Sequence, residues 1–324
     1  MAVPTNTHST YDMAGIREQL ADKISSVDNT ETPMFSMAGT EKAEARSFDW
    51  QTDALPAVDD TNANIPGNDF SGSAVSATAR VKNYCQFVTK EYTLSDDADA
   101  VKTAGRARET VYNTMKFGLA LRRDVEAIML KNQASVVGSE SVAPKTAGVL
   151  TWIETNTDRG ATGADGGYNS GTGIVDAATN GTQRAYTTIE TIVNGLMQTA
   201  FTNGAKPSVL MSNAFGKREM SANMTGIATL YRDANGSKQA SVIGATDLYV
   251  SDFGELRIVP NAHMSTRDVL LLDPKAVKKC VLRNFQTEKM GKTGDNTKYM
   301  IKYDFGVKVL NEKSLGVAAD MNAS

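Results

Sequence analysis

The stretch SDDADAVKTAGRARETVYNTMKFGLALRRDVEAIMLKNQ, Ser95 to Gln133, decides how the rest of the chain is read. It predicts one long amphipathic helix, entered through a short first turn and a kink. Ser95 can cap it, and Asp96, Asp97 and Asp99 suit the positive end of its dipole. Past Gly105, the residues Ala107, Val111, Met115, Gly118, Leu121, Val125 and Ile128 recur at helical spacing. Arg106, Glu109, Lys116, Arg123 and Glu126 fall largely off that stripe. From Arg106 to Asn132 a rise of about 1.5 Å per residue gives a rod of roughly 40 Å. Taken alone, such a rod suits the core helix of a large α/β enzyme.

With 324 residues, 41% hydrophobic and 22% charged, the chain can bury a sizeable core in more than one lobe. No apolar run approaches the ~20 residues that span a bilayer. The N-terminus MAVPTNTHSTYDMAG lacks the basic-then-apolar order of a secretory signal. Cys85 and Cys280 form no CxxC pattern and read as reduced or buried thiols, which fits synthesis in a cytoplasm. The net charge of −3 is unevenly spread. Acidic residues dominate the first 70 positions, whereas Lys275 to Lys313 leans basic. Opposite ends of opposite sign can attract each other between subunits, and scattered solvated lysines explain the pattern equally well.

Working outward, residues 1–35 have little apolar mass beyond Ile16, Leu20 and Ile24, which could line a short helix in an arm that orders against something else. Ala43 to Thr52 reads as a strand, with Phe48, Trp50 and Thr52 on one side and Trp50 as its anchor. After Leu55-Pro56 comes an excursion rich in Asp, Asn, Gly, Ser and Ala. Arg80 to Leu94 then resumes as strand, with Val81, Asn83, Cys85 and Phe87 alternating against Lys82, Tyr84 and Gln86. The two strands form a long hairpin with too little apolar cover to stand alone. Beyond the helix, Asp158 to Gly181 reads as a long surface loop. Thr187 with Glu190 suggests a capping box, followed by the stripe Ile189, Ile192, Val193, Leu196, Met197 and Ala200, closed by Gly204. Ser208–Ser212 is a short buried strand, and Asn213 caps the next helix. Leu248–Val250, Leu256–Val259 and Val269–Leu272 are further strands, so Ala143 to Asp273 makes an α/β lobe. Val277–Asn284 and Tyr299–Leu310 are two more. In the second, Tyr299, Ile301, Tyr303, Phe305, Val307 and Val309 share one face and Lys302, Asp304 and Lys308 the other. The apolar face is expected under the long helix.

Catalytic signals are few. His8 and His263 are the only histidines, and neither HExxH nor a Cys/His cluster exists for zinc. No GxSxG elbow accompanies His263. Gly216-Lys217 lacks the leading glycine of a phosphate loop, where Met211 stands, and Gly171-Thr172-Gly173 lacks the third glycine of a dinucleotide fingerprint. Asp158 and Asp165 do not match a calcium-loop spacing. No catalytic, cofactor or metal residue is therefore assigned, and a hydrolase using carboxylates within 143–273 is the enzyme alternative. Dispersed C-terminal lysines allow at most incidental contact with DNA.

One set of segments stands out by its order. Thr32-Pro33-Met34-Phe35, Gly39, Ala43 and Asp49-Trp50-Gln51-Thr52-Asp53 are followed by Leu121-Arg122-Arg123-Asp124-Val125-Glu126. Then come Gly148-Val149-Leu150-Thr151-Trp152-Ile153 with Thr155-Asn156, Ser251-Asp252-Phe253-Gly254, Val259-Pro260-Asn261, Leu270-Leu271-Leu272-Asp273, Leu282-Arg283, Lys292-Thr293-Gly294-Asp295 and Val309-Leu310-Asn311-Glu312. In this order, from residue 32 to 312, they resemble the major head proteins of tailed bacteriophages. The first 31 residues and Asp158 to Gly181 carry no match.

The resemblance implies an α+β class fold, the capsid fold shared by tailed phages and herpesvirus floor domains. It divides the chain into an N-terminal arm (1–35), an extended hairpin loop with flanking strands (36–94) and a peripheral domain with the spine helix (95–142). An axial domain (143–275) and peripheral return strands with the C-terminus (276–324) follow. It implies a non-enzymatic virion protein, made in the host bacterial cytoplasm, that self-assembles as hexamers and pentamers into a shell around double-stranded DNA. Its partner is itself, with scaffolding, portal and decoration proteins as further candidates and no membrane. A bacterial nanocompartment shell of the same fold is the alternative. Trp50 and Asp53 would lie on the hairpin over a neighbouring subunit, with Arg122, Arg123, Asp124 and Glu126 on the spine helix as salt-bridge candidates; a solvated helix face or an intrachain network is the plainer reading of those four.

Overall fold

The computed structural model describes residues 28–67, 69, 72, 75–101, 108–224, 248–292 and 294–322. The arm helix expected from Ile16, Leu20 and Ile24 lies outside them, as do His8, Gly105, Arg106 and Ala107. The described chain opens with α1 (Pro33–Met37), β1 (Gly39–Lys42), β2 (Ser47–Thr52), β3 (Ala79–Tyr84), β4 (Gln86–Ser95), α2 (Asp96–Ala100) and α3 (Glu109–Leu130). It continues through β5 (Thr157–Asp158), β6 (Gly167–Asn169), β7 (Ile174–Asp176), α4 (Ile189–Thr202), β8 (Val209–Ser212), α5 (Ala214–Asn223), β9 (Leu248–Ser251), β10 (Gly254–Pro260) and β11 (Val269–Leu272). It ends with β12 (Val277–Lys289), β13 (Asn296–Val309) and β14 (Gly316–Ala318).

The opening stretch resolves into two helices. Ser95 makes no side-chain cap. Asp99 in α2 instead caps α3 from outside, accepting from the Thr110 amide at 2.9 Å and from the Thr110 hydroxyl. The 22 residues of α3 make a rod of about 33 Å. Its apolar stripe is offset from the expected one. Leu121, Val125, Met129 and Leu130 are buried, but Val111, Met115 and Leu119 are exposed. The cause is Tyr92 of β4, which stacks on Phe117 with ring centroids 5.0 Å apart and bonds Thr114, turning that flank of α3 to the sheet.

α3 lies on a four-stranded sheet of order β1-β12-β13-β4, in which β1 runs parallel to β12 and the other pairs are antiparallel. The alternation in β13 is as expected on the helix side, where Ile301, Tyr303, Phe305, Val307 and Val309 join Leu121, Val125 and Met129 in one core. Fully burying each such side chain contributes about 1.5–3 kcal/mol. The opposite face is not solvated. Lys302 and Asp304 are buried with Glu288 and Arg283 as partners, and Phe48 of β2 lies against Gly306. Arg80 to Leu94 is likewise two strands. Chain direction changes at Cys85, so β3 pairs with β2 and β4 with β13, and Phe87 turns outward instead of sharing the face of Asn83.

The second sheet has six strands in the order β5-β14-β11-β8-β10-β9, with α4 and α5 packed on one face. Asn213 caps α5 as expected, accepting from the Gly216 amide at 2.6 Å. The capping box at α4 does not form; Tyr186–Thr188 is a 3-10 turn and Thr188 makes no side-chain cap. Asp158 to Gly181 is more ordered than its composition suggests. β6 and β7 form a small hairpin there, and Val175 is fully buried, its carbonyl accepting from the Ser135 amide at 3.0 Å. The C-terminus also departs from expectation, because β14 inserts between β5 and β11 of this second sheet instead of staying with β12 and β13. At the junction of the two halves, Gly148 sits against the Lys131 carbonyl that ends α3, where any side chain would collide with backbone.

Candidate functional site

β2 and β3 are rooted by four interlocking contacts. Trp50 stacks on Phe48 at 5.9 Å and meets Trp152 at 5.1 Å with the rings tilted by 45°, and Trp152 stacks on Tyr168 at 6.2 Å. The Lys308 ammonium lies 5.8 Å from the Trp50 ring centre. Asn83, fully buried, donates to the Val307 carbonyl at 2.6 Å and to the Thr146 hydroxyl at 3.1 Å, and accepts from the Tyr84 and Ala147 amides. Phe48 fills the notch at Gly306, beside the free, buried thiols of Cys85 and Cys280. Burial pushes these thiols up to about 12 and about 11, so they are inert.

Past this root the chain makes a long excursion. Leu55, Val58 and Val75 are 94%, 97% and 95% exposed, and Ile65 is 79% exposed. Residues 53–78 carry Asp53, Asp59, Asp60 and Asp69 and no lysine or arginine. Asp53 is exposed and accepts from the Ala54 amide. Four large apolar side chains thus stand in water beyond a root that is itself packed into the subunit.

A groove of about 810 Å³ opens where α3 leaves the β12–β1 half of the first sheet uncovered. Phe35, Phe285 and Tyr303 form its aromatic floor, with Phe285 and Tyr303 stacked at 4.0 Å. Arg122 and Lys279 both lie over the Phe35 ring, at 4.8 and 3.8 Å, and Lys42 lines the rim. Arg122 donates to the Ser36 hydroxyl at 3.0 Å and Lys279 to the Phe35 carbonyl. Burial, followed by the nearby Arg122, lowers the Lys279 ammonium below its ordinary value. The groove is thus cationic and aromatic.

One turn beyond Arg122 on α3, Glu126 is fully buried. Its carboxylate accepts from the Met34 amide at 2.8 Å, the Phe35 amide at 2.6 Å and the Asn261 side-chain amide at 2.6 Å. A single buried group therefore ties α1, α3 and the β10–β11 loop together. Burial raises its carboxyl above the ordinary range against the pull of these donors.

A family model described as SU10 major capsid protein matches residues 3–322. The chain belongs to this family. A curated relative, the major capsid protein of Escherichia phage Phieco32, is 27% identical over 353 aligned positions, spanning 98% of this chain and 97% of that one. The capsid structure of Cyanophage P-SCSP1u matches with a TM-score of 0.62 at 14% identity over 99% of this chain and 97% of that one. A chain of Gordonia phage Cozz gives 0.61 at 11% identity over 99% and 98%. The SrpI encapsulin of Synechococcus elongatus gives 0.52 at 8% identity over 93% and 94%. These likenesses show the fold. This capsid protein is a shell-forming structural component of a phage virion.

The six residues singled out from the sequence do not form one surface of the capsid protein. Trp50 is part of the hairpin's buried root and Glu126 is wholly inside the subunit. Trp50 serves as the anchor that its strand suggests, and Glu126 joins an intrachain network, the plainer of its two readings. Asp124 pairs with Lys90 of its own chain at 2.7 Å. Arg122 borders the groove, Arg123 is half-buried, and Asp53 stands at the start of the exposed excursion. Sequence reasoning missed Phe35, Lys279, Asn83 and Gly306. A glycine inside the clearest strand was the available signal for the last. Among the described residues no group of three or more His, Cys, Asp or Glu could hold a metal. Asp158 and Asp165 bind Arg184 and Arg159, and no described helix is long and apolar enough to cross a membrane.

Proposed function

We propose that this subunit builds hexamers and pentamers of a closed head around double-stranded DNA, and that it has no enzymatic role. Its hairpin reaches a neighbouring copy, and the acidic, apolar excursion at 53–78 seats in that copy's groove beside α3. The observation that carries this is complementarity: four aspartates and exposed Leu55, Val58, Ile65 and Val75 on one side, and Arg122, Lys279, Lys42 and an aromatic floor on the other. Asp53, Arg122 and Arg123 keep a role between subunits, and Asp124 joins them if its pair with Lys90 re-forms across the interface. Each exposed pair contributes only about 0–1 kcal/mol, so strength comes from repetition and apolar burial. Assembly takes place in the host cytoplasm, with scaffolding, portal and decoration proteins as partners and incidental DNA contact inside.

Charge reversal tests the seating. Lys42, the exposed cation of the groove, is the residue to reverse: Lys42→Glu should impair assembly into shells, and adding Asp59→Lys with Asp60→Lys in the same chain should restore it. If Lys42→Glu assembles normally, or the added lysines restore nothing, the seating is wrong. The encapsulin likeness supports a cargo-enclosing shell as the second reading; a protein cargo inside purified shells, in place of DNA, would favour it.

A further inference from the structure

Just past β14, Asp320 is fully buried, with its backbone in the left-handed region at φ 59°. Its carboxylate accepts from the Gly160 amide at 3.2 Å, the Gly181 amide at 2.8 Å and the Arg267 side chain at 2.8 Å. Arg267 in turn donates to the Gly181 carbonyl at 2.6 Å, and the Asp320 carbonyl accepts from the Arg184 amide at 2.6 Å. One side chain therefore draws together the two ends of the segment 160–181. A Cβ at Gly160 would collide with the Thr182 carbonyl, and one at Gly181 would come within 2.6 Å of the Gly160 carbonyl, so only glycines let the ends close this tightly.

Between those ends the segment crosses the subunit. Asn132, just past α3, bonds both the amide and the carbonyl of Ala178, and the Ser135 hydroxyl accepts from the Val175 amide at 2.7 Å. At the far end, between β6 and β7, the Gly173 carbonyl accepts from the Tyr84 hydroxyl at 3.4 Å, and Lys82 lies against Gly173. Tyr168 of β6 stacks on Trp152, which meets Trp50. Trp50, Lys82 and Tyr84 all belong to β2 and β3. The segment thus joins the second sheet to the root of the hairpin.

We propose that residues 160–181 form a strap that holds the β2–β3 hairpin in position, and that Asp320 is the positioning residue that fastens it. A two-stranded hairpin has little stability of its own, so its placement depends on what grips its root. Phe48 and Asn83 fix the root to the first sheet, and the strap fixes it to the second. Removing the Asp320 carboxylate leaves two amides and Arg267 without a buried acceptor, which loosens the base of the strap and, through it, the grip of Gly173 and Tyr168. The consequence for assembly rests on the hairpin acting between subunits; the coupling within one subunit does not.

Hydrogen exchange of the unassembled full chain tests the coupling. Asp320→Gly removes the carboxylate and keeps a residue at ease with a positive φ. It should lower protection by about tenfold or more at the Val175 and Ala178 amides and also at β2–β3 amides, relative to those of β12 and β13. A loss confined to 158–184 and 316–322, with β2–β3 unchanged, would overturn the proposal. So would an equal loss everywhere, which is the mark of a merely stabilising group. In the wild type, strap and β2–β3 amides should open together and more readily than β12 and β13; separate openings would overturn the proposal even if Asp320→Gly fails to fold. Shell formation is read separately, since coupled exchange with normal shells supports the strap and counts against the hairpin's role between subunits.

Discussion

Gly306 offers the sharpest perturbation of the hairpin root. It lies in β13 opposite Cys280, and a Cβ placed there would run into the Phe48 ring and come within 3.1 Å of the Tyr84 carbonyl. Neither neighbour can yield easily. Tyr84 precedes Cys85, whose amide donates to the Arg46 carbonyl at 2.7 Å, and Phe48 is stacked on Trp50. Overpacking of a filled interior typically costs 1–3 kcal/mol. Gly306→Ala should therefore destabilise the subunit by about that amount, less whatever alanine gains over glycine in a strand, roughly 0.5–1 kcal/mol. At about 2 °C per kcal/mol for a chain of this size, the Tm of the unassembled subunit should fall by up to roughly 5 °C, with the ring collision placing the loss towards the upper end. Phe48→Ala alone should also destabilise, but in the Phe48→Ala background Gly306→Ala should cost much less, because the colliding ring is gone and only the tight approach to the Tyr84 carbonyl is left. Thermal melts of the four proteins form the cycle. Additive losses, or an unchanged Gly306→Ala melt, would show that Phe48 does not seat the hairpin through this notch.

Two further outcomes follow from the same contacts. Asn83→Ala should cost about 2–6 kcal/mol, since the Ala147 amide and the Val307 carbonyl each lose a buried partner worth about 1–3 kcal/mol; chemical denaturation measures it. Glu41 bridges Lys308 at 2.8 Å and Lys278 at 3.2 Å, and the Lys308 bond chiefly holds its carboxyl below 4.5. The stabilisation is therefore present above that value and is lost as pH falls through the lowered one. Glu41→Gln should narrow the stability difference between about pH 6 and about pH 3, as read by thermal melts at each pH.

The elements of the fold were readable wherever a local period reports burial. β13 and α4 show this, since their apolar spacing matches the faces that are inside. The failures share a cause. The choice between the Val111–Met115 flank and the Thr114–Phe117 flank of α3 depends on Tyr92, which is distant in sequence, and no helical period contains that information. Arg80 to Leu94 looked like one strand because leaving one sheet for another at Cys85 changes partners without a proline or glycine to mark it. Asp158 to Gly181 reads as loop because its few core contributions, Tyr168, Val175 and Ala178, are embedded in small polar residues. The candidate site was legible only in outline. The hairpin and the spine helix could be located, but the intrachain partners of Glu126 could not be named, because its three donors lie 91, 92 and 135 residues away. The ordered set of short segments carried the family where no single site did.

The central claim is that the subunit's purpose lies in its contacts with copies of itself. Electron microscopy of the purified full-length protein, alone and co-expressed with its phage-encoded assembly partners, tests this most directly. The account predicts closed, regular shells whose surface shows rings of six and five subunits. Particles that stay monomeric under all conditions, with those partners present, would contradict it.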